Sequence, residues 1–489
     1  MTDIDREIEL KFLCAPRDLA AVLAAAPAGD DQSHELISVY FDTPDLDLQK
    51  AGASLRVRES GGKRVQTLKR GEGLCREEYE QPISGDVPDP ELGPLKALLP
   101  RDGAGVLKPS FNVRVSRRQR LVGYGGAQIE LALDVGEVRG GRRASPISEV
   151  ELELKRGPPK ALFELARELA RAAPLYLSFE GKAARGQALV AGAPVLALRK
   201  ARVELARDAT AAEAFQAIAR NALAQIAGNA ALLREAPDAE AVHQLRVAAR
   251  RLRSAISTFA PVLGDGGAVK AELRWLAKAC DNARNLHVFA AETLEPAQGL
   301  ADAPAGLAAL AAAVEAARAP AEGLAYETVG SARFRNLLIE ATAWVETGDW
   351  LSAADGGGSA RAFAADSLER RRRKLLKRGR SLKRADDAGR HAARIEAKKL
   401  RYAVEAFESL FRAKAAQRFI ERLKALQDEL GALNDLATAE TLIEGLALEP
   451  AAAFAAGELV GLKAAGKSRR VGRAARAFDR LADTDRFWR

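Results

Sequence analysis

The segment REIELKF (residues 6–12) alternates charged with apolar side chains, so Glu7, Glu9 and Lys11 share one face of an extended chain. The segment EVELELK (149–155) repeats this pattern with a carboxylate at alternate positions. Strict alternation of period two predicts a half-buried β-strand. Solvent-facing strands usually mix neutral polar residues with charges, whereas these faces repeat charges. They therefore predict a charged tunnel if the sheet closes on itself.

Short alternating runs fill the rest of the first half of the chain. The further predicted strands are Ser38–Asp42, Ser54–Glu59, Lys63–Lys69, Arg76–Ile83, Phe111–Arg117 and Ala127–Val135. This many strands predict a large antiparallel sheet or barrel, followed by one helix over Pro159–Ala173. From about Asp208 onward, apolar residues recur every three or four positions, which predicts an all-helical bundle. A Gly-rich stretch at 355–359 predicts a loop within the bundle.

The predicted fold class is therefore α+β with more than one domain. An antiparallel β-barrel or tunnel is expected over residues 1–190 and a linker over 191–206. An all-α bundle with an internal pseudo-twofold repeat is expected over 207–489.

Charge is distributed unevenly between these halves. Residues 1–195 hold 28 Lys and Arg against 29 Asp and Glu, whereas the remainder holds 47 against 37, for a net charge of +10. A basic excess of this kind favours polyanionic partners in general: nucleic acid, polyphosphate or anionic lipid.

The composition also restricts the compartment. Cys14, Cys75 and Cys280 lie far apart, which argues against a disulfide framework or a cysteine-based zinc site. The start MTDIDREIEL lacks the pattern of a secretory signal, and no stretch of about 18 apolar residues is free of charges. We expect a cytoplasmic protein without a membrane span.

The charged tunnel has a specific chemical use. Clustered carboxylates without His or Cys are hard oxygen ligands, suited to Mg²⁺ or Mn²⁺. Arg and Lys on neighbouring strands supply charge-assisted contacts to phosphate oxygens. Together they predict a cavity for a compact polyphosphate, in which metal polarises the phosphoryl group and water attacks in line.

The first half resembles the CYTH superfamily of triphosphate tunnel metalloenzymes, which includes triphosphatases and class IV adenylyl cyclases. The resemblance begins with the ExExK signature at Glu7–Lys11. It continues in order through YFDTPDLDLQKAGASLRVRE (40–59), VQTLKR (65–70), REEYEQPI (76–83), ALDVGEV (132–138), EVELELK (149–155) and SFEGKAARG (178–186).

The resemblance implies roles for particular residues. Lys11, Glu7 and Glu9 would be catalytic, with Lys11 close to the reacting phosphate. The implied metal ligands are Glu7, Glu9, Glu130, Asp134, Glu151 and Glu153. The implied triphosphate-binding residues are Arg56, Arg58, Lys69, Arg117, Lys182 and Arg185.

The helical half contains an internal repeat. The segment HQLRVAARRLR (243–253) recurs as HAARIEAKKLR (391–401), with His at position i and basic residues at i+3, i+7, i+8 and i+10. Positions i, i+3 and i+7 lie on one face of a helix, so each copy predicts a basic face. The predicted anion-binding residues are His243, Arg246, Arg250, Arg253, His391, Arg394, Lys398 and Arg401.

This half resembles the CHAD domain over about residues 205–480, a family named for its conserved histidines. The resemblance implies binding of inorganic polyphosphate. Where family members carry an acidic ARDLD-like stretch after the first basic helix, this chain has Asn285 and His287, whereas Asn434 and Asp435 keep the pattern after the second.

A CYTH domain followed by CHAD resembles bacterial inorganic triphosphatases. It implies metal-dependent hydrolysis of tripolyphosphate to pyrophosphate and phosphate, with polyphosphate as a partner and granule association as a consequence. Two alternatives stay open: a non-catalytic polyphosphate-binding protein, and a class IV-type adenylyl cyclase. The few aromatic residues argue against a nucleoside pocket and against nucleic acid, whose bases stack on aromatic rings.

Overall fold

The computed structural model of the chain describes residues 5–71, 74–99, 107–194, 203–264, 266–299, 304–352 and 358–489. Residues 195–202 of the predicted linker and 355–357 of the predicted Gly-rich loop lie outside these ranges. The chain divides into two compact units. We call residues 1–199 with 331–347 the barrel unit, and residues 200–330 with 348–489 the helical unit. The predicted domain limits stay predictions.

The barrel unit is built from antiparallel strands. They are β1 Asp5–Leu13, β2 Asp31–Asp42, β3 Ala53–Ser60, β4 Lys63–Arg70, β5 Cys75–Ile83, β6 Lys108–Tyr124, β7 Ala127–Gly140, β8 Arg143–Arg156 and β9 Tyr176–Ser178. Their order is β5-β4-β3-β2-β6-β7-β8-β1-β9, and β1 pairs with β5 as well as with β8. This second pairing closes β1–β8 into a barrel, which confirms the predicted fold class.

Five helices accompany the strands between residues 5 and 194. They are α1 Leu19–Ala25, α2 Asp47–Lys50, α3 Gly93–Lys96, α4 Pro159–Ala172 and α5 Lys182–Ala191. Helix α4 packs against β7, β8 and α1, where Leu152 and Leu165 are fully buried. Because alternate residues point to opposite faces of a strand, an apolar outer face leaves the charged residues of β7 and β8 on the inner face.

One end of the barrel interior is apolar. Strand β6 continues to Tyr124, well beyond the predicted end at Arg117, because it pairs with β7 along its whole second half. Helix α5 packs against β6, β7 and β8. A cluster of buried apolar residues follows the inner-face positions of these strands and β2 and includes one residue of α5. Its members are Leu36, Tyr40, Phe111, Val113, Val115, Val138, Ile147 and Leu189.

The remaining helices follow in chain order. They are α6 Ala211–Glu235, α7 Ala239–Thr258, α8 Ala260–Leu263, α9 Gly267–Ala279, α10 Asp281–Phe289, α11 Glu295–Gln298, α12 Leu307–Gly330, α13 Ala332–Thr347, α14 Ala360–Gly379, α15 Asp387–Phe407, α16 Ala413–Glu444, α17 Pro450–Ala465 and α18 Lys467–Ala482. Helix α13 belongs to the barrel unit, where Glu340 accepts two hydrogen bonds from Arg167 of α4. Among the residues that the structure describes, no helix combines the length and the apolar character needed to cross a membrane.

The two helices of the sequence repeat begin in the same way. Asp238 accepts a hydrogen bond from the backbone N–H of Ala241 at the start of α7, and Asp386 accepts one from Gly389 at the start of α15. An N-terminal Asp satisfies a free backbone donor and interacts favourably with the helix dipole. The repeat is therefore structural as well as sequential.

The contact of α5 with Phe111 leads to a stability prediction. A Cβ atom added at Gly186 of α5 would lie 2.1 Å from the Phe111 ring. We expect Gly186→Ala to lower the free energy of unfolding by about 1–3 kcal/mol through overpacking. Hydrogen exchange of the β6 and β7 amides, followed by mass spectrometry, would measure this separately from the helical unit. Gly123→Ala on β6 is the control, because no atom lies within 4 Å of its added Cβ; equal protection in both variants would contradict the prediction.

Candidate functional site

Three buried carboxylates meet inside the barrel. Asp134 of β7 and Glu149 and Glu151 of β8 have oxygen atoms that all lie within 4.8 Å of one another, and Asp134 and Glu149 are fully buried. We call these three residues the Glu151 cluster. Such proximity of like charges is unfavourable unless cations lie between them.

Three cations neutralise the Glu151 cluster. Lys182 of α5 contacts all three carboxylates, at 2.6 Å from Asp134 and 2.8 Å from Glu151. Arg117 of β6 donates two hydrogen bonds of 2.7 Å to Asp134 and also contacts Glu151. Lys11 of β1 donates to Glu151 at 2.6 Å. The cluster is therefore part of an ion-pair network that links five elements, β1, β6, β7, β8 and α5.

The network stabilises the charged forms of its members. Burial alone would discharge Lys11 and Lys182, but the neighbouring carboxylates outweigh it and raise both pKa values. Burial likewise opposes the charge of Glu151, whose pKa is nevertheless held well below its usual value by the surrounding cations. The pKa of Asp134 is lowered for the same reason. These shifts favour the charged forms of Lys11, Lys182, Glu151 and Asp134 at neutral pH.

A second carboxylate group lies beside the first, and Lys11, Lys69, Lys155 and Arg117 lie within 4.0 Å of its oxygens. Glu9 of β1 and Glu130 of β7 each lie directly opposite Glu153 of β8 on a neighbouring strand. Glu7 precedes Glu9 by two residues and lies on the same face of β1. We call these four glutamates the Glu153 cluster. Burial and, to a smaller extent, the charges of Glu7 and Glu130 raise the pKa of Glu153 to about 7. Lys155, 2.5 Å away, lowers this pKa but does not outweigh burial.

The Glu153 cluster fits a divalent cation better than the Glu151 cluster does. Glu9 Oε1 is buried without a hydrogen-bond partner, but so are both carboxylate oxygens of Glu149, so this feature does not separate the two clusters. The raised pKa of Glu153 does separate them, because it indicates missing positive charge around that carboxyl group. In the Glu151 cluster, a metal ion would have to displace Lys182 or Arg117. All-oxygen donors of this kind suit Mg²⁺ or Mn²⁺.

Cations prevail on the opposite side of the interior. Arg56 and Arg58 share the inner face of β3. Burial, followed by the nearby guanidinium groups of Arg56 and Arg117, lowers the pKa of Arg58 to about 10. Lys69 of β4 reaches across to Glu7 at 2.7 Å. Arg58 thus lacks negative charge, as Glu153 lacks positive charge. Arg56 differs, because Tyr40 and Glu78, 3.8 Å away, outweigh the effect of burial and raise its pKa.

The predicted tunnel residues come together. All of the predicted catalytic, metal-ligating and triphosphate-binding side chains lie on the inner face of the barrel or on α5. Arg185 of α5 lies 3.7 Å from Glu149, while Arg114 points outward and is exposed, unlike Arg117. Glu149 was missed as a site residue, although the alternation in residues 149–155 places it on the same face as Glu151. The assigned roles stay predictions.

A second charged site lies in the helical unit. A cavity of about 660 Å³ opens among α7, α9, α14 and α15, and ten of its seventeen lining residues are Lys or Arg. They are Arg250, Arg253, Lys270, Arg274, Arg370, Arg371, Lys374, Arg394, Lys398 and Lys399. None of the lining residues that the structure describes is acidic. We call this cavity the basic groove.

The two copies of the repeat contribute to this one groove. Arg250 and Arg253 of the first copy face Arg394 and Lys398 of the second across it. The two predicted basic faces therefore line one cavity, because α7 packs against α15 and joins them. Each copy also has an acidic neighbour: Arg246 contacts Asp281, and Arg394 lies 3.7 Å from Asp435.

Some predicted residues lie outside the groove lining. Arg246 is buried against Asp281, and Arg401 donates hydrogen bonds to Glu405 and Gln427. Burial, and then the charge of Arg284, lowers the pKa of His243 to about 4, so this imidazole is neutral at pH 7. His391 does line the groove and contacts Asn434 at 2.6 Å.

The first copy replaces its missing acidic residue locally. Asp281 supplies the carboxylate four residues before Asn285, and the buried His287 instead contacts Glu322 at 2.6 Å. The sequence contained Asp281 in the segment that follows α9, but its pairing with Arg246 depends on how α10 packs against α7.

Comparisons with known proteins identify both domains. The CYTH domain model matches residues 5–186, and the CHAD domain model matches residues 217–444. The chain consists of a CYTH domain followed by a CHAD domain. This confirms the resemblances inferred for the two halves.

Two relatives illustrate the domains. An inorganic triphosphatase of Haemophilus influenzae is 33% identical over 194 residues, which is 38% of this chain and 55% of that protein; the match thus spans about half of the relative. The CHAD domain of the plant Ricinus communis is 32% identical, with a TM-score of 0.53 over 59% of this chain and 97% of that one. A third protein, from Hippeastrum, is named as a putative adenylyl cyclase with a dominant triphosphatase activity. It is 20% identical, with a TM-score of 0.27 over 39% of this chain and 96% of that one.

The Glu151 cluster makes Lys182 essential for the stability of the CYTH domain. Lys182→Met leaves three buried carboxylates with too few cations. We expect a loss of about 3–5 kcal/mol in the free energy of unfolding, as for other broken buried ion pairs. Hydrogen exchange of the β7 and β8 amides would measure it.

Two further variants test the cause. Adding Glu149→Gln to Lys182→Met removes one excess charge and should restore part of the protection. Lys63→Met removes an exposed lysine of the same domain and should change little. Equal losses in the single and the double variant would show that lost packing, and not unpaired charge, is responsible.

Proposed function

We propose that the CYTH domain hydrolyses inorganic triphosphate to pyrophosphate and phosphate with Mg²⁺ or Mn²⁺, and that the CHAD domain binds inorganic polyphosphate. The observation that carries the first part is the complementary charge shortage within the barrel. Positive charge is short around Glu153, whose pKa is raised, and negative charge is short around Arg58, whose pKa is lowered. A divalent metal bound to a short polyphosphate supplies both.

The residues of the interior have distinct tasks in this proposal. Arg56, Arg58 and Lys69 bind and orient the phosphate oxygens, because guanidinium and ammonium groups donate charge-assisted hydrogen bonds to them. Lys11 is held beside the reacting phosphate by Glu151. The Glu153 cluster would hold the metal, which neutralises phosphoryl charge when bound. Catalysis is then positioning and electrostatic stabilisation, as in other phosphoryl transfers.

The apolar end of the barrel supports a short substrate. Tyr40 stacks on Phe111 with ring centroids 4.5 Å apart, and Leu189 of α5 packs into the same cluster. Phosphate groups gain nothing from apolar surface and lose hydration there. The charged part of the interior is therefore limited in length, which favours tripolyphosphate over long chains. Since Tyr40 and Phe111 are stacked on each other, this pair offers no open platform for a nucleoside base.

We expect Glu9→Gln to abolish hydrolysis. The substitution keeps the shape but removes a metal-ligating charge, and phosphate release from tripolyphosphate with Mg²⁺ should fall at least about 100-fold. Such a loss is typical when a group that stabilises transition-state charge is removed.

The control is Glu77→Gln, which removes a carboxylate from the outer face of the neighbouring strand β5. It should retain full activity. Wild-type turnover by a folded Glu9→Gln protein would refute the assignment of Glu9 as a metal ligand. Faster turnover of long-chain polyphosphate or ATP than of tripolyphosphate would refute the substrate assignment. Cyclic nucleotide as the product would favour the cyclase alternative.

The basic groove supports polyphosphate binding by the CHAD domain. Its cations are not matched by acidic lining residues, and the hydroxyl groups of Ser254 and Ser367 add hydrogen-bond donors. A linear polyanion would release counterions on binding, so its affinity should fall steeply with salt. We place the protein in the cytoplasm, with granule association as a consequence of this binding.

Neutralising the groove should weaken binding selectively. We expect the triple variant Arg250→Gln, Arg394→Gln and Lys374→Gln to bind long-chain polyphosphate at least about 100-fold more weakly at 50 mM salt, with a shallower salt dependence. Isothermal titration calorimetry of the full chain at several salt concentrations would measure both. Tripolyphosphate hydrolysis should be retained.

The matched control removes three exposed arginines of α18: Arg469→Gln, Arg476→Gln and Arg480→Gln. It alters the net charge equally and should leave the affinity within about threefold. Equal losses in both triple variants would show that net charge alone drives binding. Tighter binding of an equally charged RNA would assign the groove to nucleic acid.

A further inference from the structure

One lysine of the basic groove differs from the others in its surroundings. Lys398 of α15 lines the cavity and is partly buried, between Arg394 one turn before it and Arg250 on the facing helix α7. Across the part of the chain that the structure describes, its amine has no hydrogen-bond or ion-pair partner. Its own charge is therefore unfavourable in the unliganded protein.

The charged side chains around Lys398 are almost all cationic. The groups that face it or share its cavity are Arg246, Arg250 and Arg253 of α7, Lys270 and Arg274 of α9, Arg370, Arg371 and Lys374 of α14, His391, Arg394, Lys399 and Tyr402 of α15, and Asp435 of α16. Asp435 is the acidic member of this set, and it already lies 3.7 Å from Arg394. The local charge therefore opposes protonation of Lys398.

Burial and then the charges of Arg394 and Arg250 lower the pKa of Lys398 to about 7, with Asp435 opposing them in part. About half of the Lys398 side chains are thus neutral at pH 7. A bound polyanion would bring negative charge to the same position and favour the ammonium form.

We propose that the basic groove is a proton-linked anion site, in which binding of inorganic polyphosphate draws one proton from solvent onto the Lys398 amine. This inference rests on the proposed function of the CHAD domain and adds its regulation. The amine lone pair takes up the proton, and the resulting ammonium group pairs with a phosphate oxygen. Binding is therefore stronger at lower pH, over a window set by this residue.

The sign and the window follow from linkage. Below about pH 7 the amine is already protonated in the free protein, so pH has little effect on affinity. Above it, each binding event must take up a proton, and affinity should fall by up to about tenfold per pH unit until the pKa of the bound form is reached. Lys398→Arg keeps the charge and removes this titration, because a guanidinium group stays protonated.

Titration calorimetry of the full chain tests the inference. Long-chain polyphosphate is used because it carries few terminal phosphates. The buffer is metal-free so that hydrolysis is absent. Comparing buffers of different ionisation enthalpy at pH 6.0 and 8.0 gives the number of protons taken up. We expect the wild type to take up close to one proton on binding at pH 8.0 and far less than one at pH 6.0. Lys398→Arg should take up almost none at either pH.

Two controls separate Lys398 from its neighbours. Lys374→Arg exchanges another groove lysine and should keep the wild-type proton uptake. His391→Gln should also keep it, although imidazoles as a class titrate in this range. Loss of the uptake in His391→Gln, or its persistence in Lys398→Arg, would overturn the assignment to Lys398.

The outcomes distinguish this inference from the function on which it rests. Binding of polyphosphate without proton uptake would overturn the proton linkage alone and leave polyphosphate binding standing. Absence of binding at both pH values would overturn both.

Discussion

Buried charges inside a closed barrel must be neutralised by other side chains, and this constraint governs the CYTH domain. Asp134 and Glu149 are fully buried, so water cannot solvate them. Lys182 and Arg117 provide the compensation from α5 and β6. Arg117 lies opposite Asp134 in the β6–β7 hairpin, whereas Lys182 reaches the carboxylates only because α5 packs against β7 and β8. The site therefore depends on the docking of α5 as well as on the strands.

Neutralisation inside the barrel is complete in one place and incomplete in another, which separates structural from functional charges. Cations contact every carboxylate of the Glu151 cluster, and this network holds the elements together. Glu153 and Arg58 are each left with too little opposite charge, as the raised pKa of Glu153 and the lowered pKa of Arg58 show. A protein retains such unfavourable imbalance where a charged ligand relieves it.

The charge of the basic groove of the CHAD domain is also incompletely neutralised, and there the whole excess is positive. Its cations repel one another, and its acidic neighbours Asp281 and Asp435 pair with arginines at its edge. An external anion must supply the remainder. The repeat explains the geometry: α7 and α15 are equivalent helices that begin with an Asp cap, and their packing joins two basic faces into one cavity.

The sequence alone was sufficient to predict the strand faces, an antiparallel sheet or barrel, and the helical repeat, because alternation of period two and helical spacing are local properties of the chain. Both families were identified from the resemblance of ordered motifs. Tertiary structure decided the rest. It separated the predicted carboxylates into two clusters, it brought Asp281 to Arg246, and it placed Arg401 and His243 outside the groove lining. Which charges are neutralised depends on distances between residues far apart in sequence, and no local pattern contains those distances.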